Sequence, residues 1–430
     1  MRGVARVGTT VRRVRSLDPA LLLLAGMVFI VQVGVAVMLP LLPLYARSLG
    51  AAPTVLGLLT SVFALTNAAG QLVTGFLAER FAMRRLLAAG IGSYALANFL
   101  IAAATSAGML IVFRGAAGLG GGVMLVGERL YLTQLVEPAR LAFANGVLSA
   151  AGSAGSVTGP AIGGLLASID LRIPFVLVGI TSLAATVAAF FLPRPPVEVA
   201  AEAGLPGEES TAEAAADGTP PAAPAPTVAA APTAPPVSDR RQLFVLVIAQ
   251  TALNAAFGAF ITTYAPFAQE RLAWQTTEIG AVFALFGLGA ITLGPWLGKQ
   301  ADLRGRRNVA IVGLLPVLVF SAVYWLEMPR PFLYGSAIIA GAGITGSGAA
   351  WYALLGQVTG GGRRSRVFST VAAISNLGIV VGATAAAQLW ESLGDVGIGF
   401  VVAALAIVIA AATFLLLPAD RPPRPSAAPA

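Results

Sequence analysis

Twelve stretches of mainly apolar residues run through this chain, and they leave few folds open. A helix crossing the hydrocarbon of a bilayer needs about 20 such residues. Only helices and closed barrels satisfy their backbone hydrogen bonds there without water. On that rule, spans are predicted at 20–46, 54–78, 84–106, 108–133, 141–168 and 173–193, and then at 241–269, 277–299, 307–327, 331–357, 366–393 and 397–418. Of all residues 57% are hydrophobic and 11% charged, against about 25% charged in a soluble domain. Folded in water, such a chain would expose large apolar patches and aggregate. The first stretch follows Arg2, Arg6, Arg12, Arg13 and Arg15, as a signal peptide would, but continues to about Ala46. A signal core runs only about 7–15 residues, so this stretch reads as the first span. The expected fold is all-α and integral to the membrane, with 12 transmembrane helices in two pseudo-symmetric six-helix bundles.

The expected organisation is an N-terminal tail (1–19), a six-helix bundle (20–193), a linker (194–239), a second bundle (240–418) and a C-terminal tail (419–430). The linker is rich in Ala, Pro and Glu, includes Pro220–Pro221 and Pro235–Pro236, and has no apolar periodicity. It cannot bury enough surface to offset its ordering entropy, so disorder is expected. Basic residues retained in the cytoplasm set orientation. With the N-terminus inside, Arg80, Arg84, Arg85, Arg129, Arg140, Lys299, Arg304, Arg306, Arg307, Arg363, Arg364 and Arg366 all fall on the cytoplasmic side. The opposite loops hold only Arg47, Arg172, Arg271 and Arg330, and Arg114 sits inside a span. Both termini and the linker are therefore expected in the cytoplasm of a multi-pass protein of the cell (inner) membrane. The net charge of +8 is then a topology signal, and no nucleic-acid partner is expected. The chain has no cysteine and no histidine. That removes disulfides, thiol nucleophiles, the usual zinc clusters and histidine acid–base chemistry. No enzyme activity, cofactor or metal is expected.

A shift of 223 positions superposes the halves. Pro43 falls on Pro266, Gly57 on Gly280, Gly75 on Gly298, Glu79 on Asp302, Gly118 on Gly341, Gly155 on Gly378 and Gly159 on Gly382. One offset that matches helix order, a proline and a loop carboxylate points to two parallel repeats. Such repeats rock about a site held between them at mid-membrane.

After span 2 come Gly75, Glu79, Arg80, Arg84 and Arg85, and after span 8 come Gly298, Asp302, Arg304, Gly305, Arg306 and Arg307. Each run is a glycine, three residues, a carboxylate and a basic cluster in a short loop. Glycine permits close helix approach, the carboxylate suits a helix N-terminus, and the arginines suit acids or anionic lipid heads. Repeated at one offset, this resembles the loop signature of the major facilitator superfamily, over nearly the whole chain outside the linker and tails. The resemblance implies that Glu79 and Asp302 latch the outward-facing state against the starts of spans 11 and 5. Ala82 stands where Gly305 supplies the usual glycine, so the two turns are expected to differ.

Span 4 carries Arg114 followed by Gly118, Gly120, Gly121 and Gly122, resembling a second family motif. A charge inside a span costs about 2.5–3.5 kcal/mol on insertion scales, so Arg114 is expected to face protein or a wet cavity. Two roles stay open: bonding span 1 to hold the half together, or the part in proton coupling or substrate binding that the resemblance implies. Span 5 carries Gly155, Gly159, Pro160, Gly163 and Gly164. Small residues at four-residue spacing pack closely and Pro160 bends the helix. The run also resembles the signature of the superfamily's antiporters, particularly drug/proton exporters, which implies export.

The family's cavity is lined by spans 1, 4, 7 and 10. Polar or aromatic candidates there are Gln32, Arg114, Gln250, Asn254, Phe257, Tyr264, Trp351 and Tyr352. Asn67, Gln71 and Asn376 are read mainly as interhelical hydrogen bonds, and Trp274, Trp325 and Trp390 as an interfacial belt. No carboxylate falls near the middle of a span. Glu128, fourteen residues after Arg114 and about 21 Å along the helix, is expected to pair with the arginines of the span 2–3 loop. It is also the candidate for proton coupling. A neutral or anionic amphipathic cargo fits better than a cation. The expected function is proton-coupled, alternating-access efflux of a small hydrophobic or amphipathic compound by a monomer in the bilayer. The alternative is a facilitator or importer of a polar metabolite.

Overall fold

The computed structural model describes residues 18–78, 80–137, 140–193, 240–294, 296–297, 300, 305–358 and 364–418. The predicted linker, the C-terminal tail and nearly all of the N-terminal tail lie outside the described residues, as do Glu79, Gly298, Asp302 and Arg304. No strand occurs among the described residues. The helices, numbered by span, are α1a (Pro19–Met38) and α1b (Leu42–Ser48), α2 (Pro53–Leu77), α3 (Met83–Ala102), α4 (Ala107–Leu135), α5 (Leu141–Ala167) and α6 (Ile173–Ala189). The second set is α7 (Arg240–Glu270), α8 (Thr276–Thr292), α9 (Arg306–Trp325), α10 (Arg330–Val358), α11 (Arg364–Leu393) and α12 (Ile398–Leu415). Eight of them are long and apolar enough to cross a membrane, and α6 and α8 are shorter apolar helices.

Local chemistry sets several starts. Pro19, Pro43, Pro53 and Pro174 sit in first turns, where a missing N–H is no loss. Asp18 accepts from Ala20 N at 2.9 Å, and Gln275 with Glu278 forms a capping box at α8. The first span departs from the predicted single helix over 20–46. It breaks between Met38 and Leu42, because Pro40 has no N–H for the Ala36 carbonyl and its ring crowds that oxygen. The α8 helix is interrupted by a turn at Leu293, and Gly294, Trp296, Leu297 and Gln300 beyond it are again helical.

Packing repeats in the two halves. The first span packs on α5 and α6, α2 on α4, and α3 on α4 and α6. Adding six to each number gives α7 on α11 and α12, α8 on α10, and α9 on α10 and α12, and all five contacts occur. Between the halves, α2 meets α11 and α5 meets α8. These two contacts exchange under the same shift, as a two-fold interface requires. Gly57 on α2 approaches Ala383 of α11, and its repeat equivalent Gly280 on α8 approaches Pro160 of α5, the equivalent of Ala383.

Among the described residues, the hydrogen bonds between the halves gather toward one face, the one carrying the arginine-poor loops. Among the described residues, five hydrogen bonds cross between them: Arg47–Glu270 (2.6 Å), Thr54 N–Glu391 (3.0 Å), Thr60–Thr262 (3.2 Å), Ser61–Thr384 (3.2 Å) and Thr276–Gly164 O (2.9 Å). All lie in the half of the molecule next to that face. Toward the arginine-rich face, Phe76 and Phe143 are 76% and 58% exposed.

Candidate functional site

Two adjoining lobes lie between the halves and share Leu39 and Phe257. The larger, about 390 Å³, is walled by Phe257 and Phe260 of α7, Phe283 and Phe286 of α8, and Phe320 of α9, with Ala36 and Pro160 opposite. Phe260 sits 5.5 Å from Phe283 and 5.6 Å from Phe320, ring centre to ring centre. The polar side chains in this lobe are Ser156 and Ser321. Both are satisfied within the protein. Ser156 donates to Gly152 O (3.1 Å) and bonds Gln32 Nε2 (3.0 Å), and Ser321 donates to Val317 O (3.3 Å). This lobe asks no polar group of a ligand.

The smaller lobe, about 290 Å³, is lined by Arg114, Thr60, Asn67, Gln71 and Asn376 beside Phe63 and Leu42. Arg114 is 5% exposed. Its Cζ lies 3.8 Å from the Phe63 ring centre, its Nη1 reaches Met38 Sδ at 3.3 Å, and its Nε has no partner. Gln71 donates to Asn67 (2.8 Å), which donates to Gly118 O (3.3 Å). No acidic residue lines either lobe among the described residues.

Of the predicted cavity residues, Arg114 and Phe257 line the lobes. Gln32 reaches the larger lobe only through Ser156. Gln250 donates to Asn254 (3.3 Å), which donates to Ser375 O (2.9 Å) and Asn376 Oδ1 (3.4 Å); only Asn376 of that chain lines a lobe. Tyr264 is buried behind the phenylalanines, with its hydroxyl on Ile279 O at 3.2 Å. Trp351 is buried and ties α10 to α7 through an N–H bond to Leu246 O (2.9 Å), and Tyr352 is 62% exposed. Neither lines a lobe. Asn67 and Asn376, expected as interhelical bonds, make them and also line the smaller lobe, whereas Gln71 lines it and bonds Asn67 within its own helix. The sequence reading missed Phe260, Phe283, Phe286 and Phe320. Spacings of three in Phe257/Phe260 and Phe283/Phe286 were its one available signal.

The tryptophan belt is corrected as well. Trp274 is buried and stacked on Tyr334 (5.4 Å), and Trp390 is buried beneath the Arg47 guanidinium (5.3 Å). Trp325 alone of the three is exposed.

In the loops, a side chain at Gly75 would meet nothing within 4 Å, so close helix approach is not its role here. Arg80 and Arg85 are exposed. Arg84 donates to Phe190 O (3.2 Å) and Leu192 O (3.1 Å) at the end of α6. Its repeat equivalent Arg307 donates to Leu415 O (3.1 Å) at the end of α12, and Leu415 is the equivalent of Leu192. Arg306 donates to Ala353 O at 3.3 Å. Arg84 and Arg307 satisfy helix C-terminal carbonyls, where positive charge is favoured, whereas the Arg306 bond falls on a carbonyl inside α10. Glu128, half-buried on α4, forms no ion pair among the described residues, so its expected pairing with the span 2–3 arginines is not seen. Gly305 has φ 95°, whereas Ala82 has φ −56°, so the two turns differ as expected.

The span 5 motif has two faces. Gly155, Gly159 and Gly163 lie on α1a, a Cβ at Gly159 falling 2.6 Å from Val33 O. Pro160 and Gly164 turn toward α8, where Thr276 bonds Gly164 O. Pro160 thus meets the other half and walls the larger lobe at once.

The Major Facilitator Superfamily profile matches residues 24–275 and 243–430. The quinolone resistance protein NorA of Staphylococcus aureus is 26% identical over 169 residues, 39% of this chain and 44% of that protein. Multidrug resistance protein 1 of Bacillus subtilis (strain 168) is 26% identical over 168 residues, 39% of this chain and 43% of that protein. The matched stretch thus spans less than half the length of these relatives. Among solved structures, the nucleoside transporter NupG superposes with a TM-score of 0.72 at 12% identity, covering 93% of this chain and 100% of that one. A bacterial homologue of the human lysosomal transporter Spinster, in an inward-facing occupied state, gives 0.71 at 15% identity, covering 93% and 97%. At such identities the likeness is one of fold. The profile accounts for both repeats, and this chain belongs to the Major Facilitator Superfamily of membrane transporters.

Proposed function

We propose that the chain exports small hydrophobic or amphipathic compounds by alternating access, in exchange for protons. The observation that carries this reading is the phenylalanine-walled lobe between two halves whose hydrogen bonds to one another, among the described residues, gather toward one face. A pocket without polar demands takes apolar cargo by burial of surface. By the positive-inside rule, the arginine-rich face is cytoplasmic and both termini lie there. The lobes are then closed toward the exterior and in position to load from the cytoplasm. Relatives named for quinolone and multidrug resistance support the direction. Glu128 is the acid assigned to proton coupling, and one chain supplies both halves of the cavity, so a monomer suffices. The amide-lined smaller lobe favours the second reading, uptake of a polar metabolite.

Inverted and right-side-out vesicles carrying the full chain separate these readings. Accumulation of a hydrophobic fluorophore in inverted vesicles, abolished by an uncoupler, is expected. Accumulation indifferent to the uncoupler rejects proton exchange, and uptake confined to right-side-out vesicles rejects export.

A further inference from the structure

We propose that the two lobes together select an amphipathic anion, with its apolar body among the phenylalanines and a carboxylate or sulfonate on Arg114. This deepens the export reading and rests on it for transport, though not for binding.

The argument begins with a buried charge lacking a counter-charge. Taking a guanidinium out of water is costly unless it is paired and hydrogen-bonded. Around Arg114 the protein supplies a ring face, from Phe63, a thioether, from Met38, and nearby the uncharged Tyr94 hydroxyl, which makes no hydrogen bond to it. That sulfur contact is its one hydrogen bond among the described residues, and Nε is orphaned. Glu128, the carboxylate on the same helix, lies about 21 Å along the axis at the usual rise. The site is thus short of one negative charge. An oxyanion with two oxygens to offer, carboxylate or sulfonate, supplies it, accepting two parallel N–H bonds from the fork. Asn67, Gln71 and Asn376 stand in the same lobe as further polar partners.

The second observation is continuity. Leu39 and Phe257 line both lobes, so one molecule can reach from the apolar wall to the guanidinium. A cation placed there meets Arg114 at low dielectric, where like charges repel strongly. A neutral ligand fills the apolar lobe and leaves the guanidinium as it was. The order of preference is anion, neutral, cation.

The test uses one aromatic body with and without its charge: 1-anilinonaphthalene-8-sulfonate and N-phenyl-1-naphthylamine. Saturable binding to the full chain in lipid nanodiscs, corrected with empty nanodiscs, is expected to favour the sulfonate at least tenfold. Arg114→Gln should bring the sulfonate-to-neutral ratio down to near one, with Arg114→Lys retaining part of it. Equal or tighter binding of the neutral compound, or a ratio unchanged in Arg114→Gln, overturns the proposal. Should Arg114→Gln not fold, the wild-type protein decides. Displacement of the bound sulfonate by octanesulfonate supports the proposal, and displacement by octyltrimethylammonium alone overturns it. Saturable sulfonate binding without flux in inverted vesicles would sink the export reading and leave the headgroup assignment standing. Flux of the neutral probe with no sulfonate preference does the reverse.

Discussion

The face that joins the halves is held by backbone contact more than by its ion pair, and the two can be weighed separately. A methyl added at Gly280 would overlap Pro160 O and stand 3.2 Å from Pro160 C and 3.3 Å from Gly164 Cα. These neighbours are backbone atoms of a packed helix and cannot swing aside. Overpacking of this kind costs about 1–3 kcal/mol, and only while α5 and α8 are in contact. Gly280→Ala should therefore shift the equilibrium toward the state open at this face by about 5- to 160-fold. The gain in helix propensity applies to both states and cancels. The Arg47–Glu270 pair, with both side chains 38% exposed, is an ordinary surface ion pair worth about 0.2–1 kcal/mol. Glu270→Ala should then shift the same equilibrium by no more than about fivefold. The chain has no cysteine, so Ser168→Cys and Ser392→Cys give a clean pair for spin labels across the halves. Double electron–electron resonance should show a longer distance becoming dominant in Gly280→Ala and a minor change in Glu270→Ala. A wild-type distance distribution in Gly280→Ala, or an equal shift in Glu270→Ala, refutes the reasoning.

Two further outcomes are expected. Arg84→Ala and Arg307→Ala each remove hydrogen bonds to carbonyls at a helix end and should each lower stability by about 1 kcal/mol. Because they sit in opposite halves, their effects should add, and thermal unfolding of the double variant checks both points; no change in Tm speaks against the capping role. Trp351→Phe removes the indole N–H bond to the Leu246 carbonyl, which keeps its partner within α7, and should lower stability by about 1 kcal/mol with substrate affinity unchanged. Weakened substrate binding at full stability would return Trp351 to the ligand.

The spans and the repeat were legible because lipid imposes a single rule, length and apolarity, and because the 223 offset carries over to contacts such as Arg84–Leu192 and Arg307–Leu415. Pro40 gave notice of the break in the first span, but the hydropathy of the stretch masked it. The cavity was half legible. Arg114 and the amides stand out because polar groups among apolar ones need a reason. The phenylalanine wall does not, since Phe283 facing an apolar cavity and Phe76 facing outward satisfy the same preference. Trp274, Trp390 and Trp351 misled for a related cause: position along a span tells depth, whereas the direction a ring takes depends on neighbouring helices. Arg84 and Arg307 found carbonyls instead of acids because the ends of α6 and α12 come within reach only once the bundle forms.

Arg47 and Glu270 are separated by the repeat length itself. In a perfect two-fold assembly, a residue on the axis can meet only its own twin. Twin arginines would repel and so would twin glutamates, so a dimer of identical halves could not have made this clasp. Opposite charges at that spot require two halves that differ in sequence. The pair is therefore a lock available to halves of unlike sequence and denied to identical ones.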